Sequence, residues 1–182
     1  TMWINSRRTG LAEWLSKSQD LLYKASYSEK EWLCPSSEGK LLLARNKTLK
    51  LHLHQLDVDS AFPYADLDED VYMTPPPGMD IPEGYCLKLL KSLYGLKQAP
   101  RNWNKNIVEH IKSLGFKQCV LDNCLFVKQS GGNMYLISLY VDDILVAGSN
   151  REEVENIKRQ FTKRYEMKDL GELNYYLGMK IT

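Results

Sequence analysis

The chain has 182 residues, 43% hydrophobic and 26% charged, enough apolar content for one globular domain with a real core, or a domain plus an appendage. Its four cysteines form no CxxC pair, which argues against a zinc site or disulfide framework and for a reduced intracellular compartment; no apolar run approaches the roughly 20 residues of a membrane span. Net charge is +1 and uneven: residues 1–50 hold nine Lys/Arg against five Asp/Glu, and residues 51–182 hold fifteen against eighteen, so no global basic field announces nucleic acid.

In chain order, Leu11, Trp14, Leu15, Leu21 and Leu22 follow helical spacing and predict a helix near 10–25. Residues 34–39 read as a turn or linker, and no chemistry is evident before residue 50. The N-terminus has no apolar signal core, and a chain opening on Thr1 points to a piece of something longer. Residues 51–59 predict a strand with Leu51 and Leu53 on one face and His52 and His54 on the other. The two histidines, lacking a third ligand, read as exposed strand residues rather than a metal site. Residues 85–90 predict a second strand that ends in a turn at Tyr94-Gly95. Pro100 fits the first turn of a helix through Trp103, Ile107, Ile111 and Leu114, stopped by Gly115, with Trp103 on its buried face. Leu125-Phe126-Val127, the turn Ser130-Gly131-Gly132, and residues 134–141 read as a hairpin, and residues 144–147 as a further strand. Asn150 with Glu153 resembles a capping box for a helix carrying Val154, Ile157 and Phe161, whose charged run is a solvated face with a role in backbone contact left open. A strand over residues 175–181 closes the chain. This order predicts an α+β fold, an antiparallel sheet with helices packed on one face in a split βαβ layout that RNA-recognition modules share.

Two extended segments end in acids: Leu56-Asp57-Val58 and residues 139–145, where Asp142-Asp143 lies between two apolar β-type stretches. Side-by-side strands would bring Asp57 and the pair to one sheet edge. Carboxylates within about 4 Å repel by a few kcal/mol at an effective dielectric near 20, so such a cluster needs cations or protons. Oxygen ligands without His or Cys favour Mg²⁺ or Mn²⁺. Two such ions can clamp the attacking and leaving oxygens of a phosphoryl displacement, as nucleotide addition requires. The plainer alternative is that Asp-Asp is a turn and Asp57 a solvated strand end.

The segment His54-Gln55-Leu56-Asp57-Val58-Asp59-Ser60-Ala61-Phe62 resembles the first catalytic motif of copia-type (Pseudoviridae) LTR retrotransposon reverse transcriptases. Residues 91–101, Lys-Ser-Leu-Tyr-Gly-Leu-Lys-Gln-Ala-Pro-Arg, match that family's most recognisable stretch, and Tyr140-Val141-Asp142-Asp143 resembles its active-site box. Residues 167–172 followed by 176–181 are similar to the run into the primer grip. The resemblance covers residues 51–182; residues 1–50 do not resemble the family's fingers, and neither a thumb nor an RNase H domain is recognised.

The resemblance implies a palm of an RNA-directed DNA polymerase within a Pol polyprotein. Asp57, Asp142 and Asp143 would be catalytic and would hold two Mg²⁺ (or Mn²⁺) ions, with the Val58 carbonyl assisting. Phe62 would lie under the sugar and exclude a 2′-hydroxyl, while Tyr94, Gly95, Lys97 and Gln98 would stand near the nucleotide and template. Read alone, Phe62 is a core aromatic and Lys97 a solvated lysine. Leu177, Gly178 and Met179 would form the primer grip. Implied partners are an RNA or DNA template with primer, deoxynucleoside triphosphates, and the integrase and RNase H domains of the polyprotein, with no membrane. Implied locations are a cytoplasmic virus-like particle or the nucleus. The alternative function is a catalytically silent remnant serving as a nucleic-acid-binding or structural module. Pro63, a departure from the family pattern, predicts a Phe62 backbone outside the αR region and a displaced ring.

Overall fold

The computed structural model describes residues 2–4, 51–82, 84–173, 175–176 and 179–180. The helix predicted near 10–25 and the turn at 34–39 lie outside them. The chain divides into two compact units, one of Thr1–Glu29 with Ala61–Asn106, the other of Lys30–Ser60 with Ile107–Thr182. The elements are β1 (Met2–Ile4), β2 (His52–Val58), β3 (Tyr72–Met73), β4 (Leu87–Leu89), α1 (Ala99–Ser113) and β5 (Lys117–Gln118). They continue with β6 (Leu125–Ser130), β7 (Asn133–Tyr140), β8 (Asp143–Gly148), α2 (Arg151–Arg164), β9 (Met167–Glu172), β10 (Tyr175–Tyr176) and β11 (Met179–Lys180). The architecture is α+β.

In the first unit, β4 lies between β1, parallel to it, and β3, antiparallel. The Leu93 to Leu96 turn is closed by Leu96 N–H donating to the Leu93 carbonyl at 3.2 Å. Gly95 takes φ +96° there, a value that a side chain opposes and that a type II turn demands of its third residue. Helix α1 follows at once, with Pro100 in its first turn, and Gly115 (φ +88°) leaves it at the other end.

The second unit is built on a six-stranded sheet in the order β5-β6-β7-β8-β2-β9, antiparallel throughout. Gly131 and Gly132, both at positive φ, make the tight turn between β6 and β7. The pairs Leu53–Ala147, Gln55–Leu145 and Asp57–Asp143 fix the register of β2 on β8, and Leu136–Ala147 and Tyr140–Asp143 that of β7 on β8. Side chains alternate across a strand. One face therefore carries Leu53, Leu136, Leu145 and Ala147, which cluster with Leu51 and Leu173, and beyond them Gln55, Asp57 and Asp143. The other face carries His54, Leu56, Val58, Ile137, Leu139, Ile144 and Val146, all buried.

Helix α2 covers that second face. Asn150 caps it by accepting from Glu153 N–H at 3.0 Å. The reciprocal half of the predicted capping box does not form, because the Glu153 carboxylate turns to Lys128 and Asn156. Val154, Ile157 and Phe161 are buried as the helical spacing predicts. Gly148 of β8 admits the helix: a Cβ there would stand 2.7 Å from Val154 Cγ2 and 2.6 Å from Tyr135 Cδ1.

Two expectations are corrected. The closing strand is a hairpin: Tyr175 pairs with Lys180 and Tyr176 with Met179, so the chain reverses where one strand was expected. His54 is buried, 3% exposed, because β2 lies inside the sheet and α2 covers that side of it. Lys158 of α2, itself buried, brings its ammonium to 3.1 Å from His54 Nδ1, 3.1 Å from Glu155 and 2.7 Å from Asp169 of β9. An ammonium only donates, so His54 Nδ1 accepts and the ring is neutral. Arg164 meets His110 Nδ1 of α1 likewise at 3.4 Å, and the His110 ring stands edge-on to Phe161 and Tyr165.

Burial first, and then the facing cation, hold both histidines below the ordinary imidazole range. The unfolded chain therefore takes up protons at these positions that the folded chain refuses, and stability falls as pH drops below about 6.5. Each histidine contributes at most about 1.4 kcal/mol per pH unit. Urea melts between about pH 7.5 and pH 5.5 should show this decline, and the double variant His54→Gln with His110→Gln should flatten it. Gly148→Ala should cost about 1–3 kcal/mol in the same melts at pH 7.5, as expected of overpacking.

Candidate active site

Strand alternation and register bring Asp57 and the Asp142-Asp143 turn to one end of the sheet. Asp57 and Asp143 are direct partners across β2 and β8. Directly opposite residues have Cβ atoms about 5 Å apart, close enough for two carboxylates to repel one another. Asp142 occupies the turn between Tyr140 and Asp143, and its carbonyl accepts from Val58 N–H at 3.0 Å. Its Oδ1 atom is buried. The next N–H of that strand end, Asp59, donates to the Glu166 carbonyl at 2.9 Å, so backbone bonds fix this corner on two sides.

The turn holds its shape under strain. Val141 and Asp142 form a two-residue connection, and Val141 has φ +53°. The hairpin turns that suit such a connection require a positive φ at the first central residue, which glycine normally supplies. A β-branched residue there costs on the order of 1–3 kcal/mol and persists only where the surroundings dictate it. Here paired strands on both sides, and the Val58–Asp142 bond, do so.

Burial, and then the negative charge of Asp57, push the Asp143 carboxyl above its ordinary range, partly offset by the Gln55 side chain. Gln55 Nε2 donates to Asp143 Oδ1 at 3.2 Å. Lys168 of β9 stands opposite Asp57 and places its ammonium 2.9 Å from Asp59 Oδ1. Its hydrogen bond to Asp59, and then the charges of Asp59 and Asp57, hold Lys168 above the ordinary lysine range. Sequence reading missed both neighbours. The signal for Gln55 was present, since it lies two residues before Asp57 and so on the same face. Lys168 was hidden because β9 breaks its alternation: a bulge beside Gln55 and Leu56 leaves Leu170 as the extra residue and Gly171 at φ +74°.

Among the described residues, no three His, Cys, Asp or Glu side chains already stand together as a finished metal shell. The donor set that is present nonetheless fits a hard cation arriving with oxygen ligands of its own: two carboxylates on directly paired residues, one raised chiefly by burial, at the strand ends joined to the Asp142 turn.

The remaining predicted residues belong to the first unit or the closing hairpin. Phe62 is buried and opens a 3-10 turn, Phe62–Tyr64, closed by Ala65 N–H donating to the Phe62 carbonyl at 3.0 Å. Pro63 sits inside that first turn, where no N–H is needed, so the extended Phe62 backbone expected from the sequence is not found. The Phe62 ring meets the Tyr94 ring at a centroid distance of 4.3 Å. Gln98 donates to Glu69 at 3.2 Å, and Lys97 is exposed. Met179 lies on β11, whereas Leu177 and Gly178 lie outside the described residues.

Residues 34–182 match the reverse transcriptase (RNA-dependent DNA polymerase) family. The chain is 39% identical, over 78% of its length, to the retrovirus-related Pol polyprotein from transposon TNT 1-94 of Nicotiana tabacum, of which it spans 11%. It is 42% identical, over 70% of its length, to the Pol polyprotein from transposon RE1 of Arabidopsis thaliana, of which it spans 9%. A transposon Ty5-1 protein of Saccharomyces cerevisiae is 37% identical over 69% of the chain, and there the match spans 42% of the relative. No helix among the described residues is long and apolar enough to cross a membrane. The chain belongs to the reverse transcriptase (RNA-dependent DNA polymerase) family, among relatives that are Pol polyproteins of copia-type transposons.

Proposed function

We propose that residues 51–182 are the palm of an RNA-directed DNA polymerase that adds deoxynucleotides to a primer on an RNA or DNA template. The observation that carries this reading is the direct pairing of Asp57 with Asp143 beside a strained turn that presents Asp142. A fold that keeps like charges opposed, and raises one of them, has a use for cations there. Asp57, Asp142 and Asp143, with the Val58 carbonyl, would hold divalent cations, Mg²⁺ or Mn²⁺. When bound, two such ions supply electrostatic stabilisation to the attacking and leaving oxygens of phosphoryl transfer.

The chain's own residues do the rest by position. The β2–β8 register keeps Asp57 and Asp143 aligned, and the Val58–Asp142 backbone bond holds the turn against them. Phe62, buried and braced by Tyr94, would exclude a 2′-hydroxyl by bulk. Lys97 would pair with phosphate, and Gly95 would let backbone approach the nucleotide. Residues 177–179 would grip the primer. Helix α2 packs on the face opposite the acids, so it does not stand between them and a substrate, which is in keeping with such a palm.

Two measurements test the reading. Mn²⁺ should raise the melting temperature of the chain, by the equivalent of about 1.4 kcal/mol when the ion stands at about ten times its Kd. Asp142→Asn should abolish the rise; an unchanged response would put the ions elsewhere. In primer extension, the chain itself should synthesise little, since orienting primer, template and nucleotide accounts for much of the catalysis. A chimera in which residues 51–182 replace the matching stretch of a relative's Pol polyprotein should synthesise DNA. Asp57→Asn in it should lower the rate by roughly two orders of magnitude or more. Phe62→Ala should admit ribonucleotides. A chimera indifferent to Asp57→Asn would refute the assignment.

A further inference from the structure

Gln55 lies on β2, two residues before Asp57, and so on the same face of the sheet. Its direct partner on β8 is Leu145, which makes Asp143 its diagonal neighbour, within reach of a long side chain. Its amide spans that diagonal, Nε2 donating to Asp143 Oδ1 at 3.2 Å. On the other side, the bulge sets Gly171 of β9 opposite Gln55, so β9 puts no side chain beside the amide, and the space above Gly171 is open.

We propose that Gln55 is a positioning residue for cation binding, holding one oxygen of Asp143 so that the carboxylate stays aligned with Asp57 across the strand pair. This rests on the assignment of the acids made above. The chemistry explains why an amide stands there. A carboxylate in its place would add a third like charge, and a lysine would bring a permanent positive charge that competes with the cation. The amide donates a hydrogen bond, carries no charge, and occupies only one of the two carboxylate oxygens, leaving the other available to a metal ion. Gln55 thus belongs to the shell around the ligands, whose loss commonly weakens metal affinity by 10–100-fold.

The test is a Mn²⁺ titration of the metal-stripped full chain, with the free aquo ion counted by electron paramagnetic resonance at fixed pH. Gln55→Leu and Gln55→Met keep the side chain's bulk and remove its donor. Asp57→Asn serves as the reference for loss of a ligand. Circular dichroism and melting in EDTA confirm that each variant folds. The expected result is roughly tenfold weaker Mn²⁺ binding in both Gln55 variants, with the melting temperature in EDTA little changed. Parent-like affinity in both variants, alongside loss in Asp57→Asn, would overturn the role of Gln55 and leave the acids' assignment standing. Absence of Asp57-dependent binding in the parent would overturn both.

Discussion

Everything distinctive in this chain follows from two like charges held opposite one another across β2 and β8. An ordinary fold would separate Asp57 from Asp143 or set a cation against Asp143, which here has only the neutral Gln55 amide for a side-chain partner among the described residues. Here the register cannot slip by one residue without turning the whole apolar set of β2 to the wrong face. Leu53 and Leu145 on one side, with Leu56, Val58, Ile144 and Val146 on the other, lock that register through burial. The apolar core is therefore what keeps the acids together, and the repulsion is the cost it carries.

Helix α2 contributes the second constraint. It covers the face opposite the acids and reaches β2 and β9 through the buried Lys158, which joins His54 to Asp169. Burial alone would raise Asp169, yet the Lys158 hydrogen bond and the Gly171 N–H bring it below the ordinary carboxylate range. One ammonium thus ties together the strand before Asp57, the strand bearing Lys168 and the helix. Removing one member of such a buried network leaves the others uncompensated.

Much of this was legible in the sequence because period and chemistry agreed. Period-two alternation marked β2, the glycine pair marked the β6–β7 turn, and Asn150 marked the start of α2. The acids were legible through their position at strand ends and the motifs around them. Three things were not. The burial of His54 depends on a helix a hundred residues away, and no local pattern encodes that. Strand β9 was obscured because its bulge interrupts the alternation that would have revealed it. The 3-10 turn at Phe62 runs against the local preference of a residue before proline, and burial of the ring together with two backbone hydrogen bonds in the turn overrides it.

The central claim is that the paired acids of β2 and β8 are where cations meet a nucleotide. Crystals of the chain soaked with Mn²⁺ and a deoxynucleoside triphosphate, measured at the manganese absorption edge, test it most directly. Anomalous peaks should lie between the carboxylates of Asp57 and the Asp142-Asp143 pair, with triphosphate oxygens completing the shell. Peaks found only elsewhere, for instance along the acidic stretch of Asp66, Asp68, Glu69 and Asp70, would contradict it.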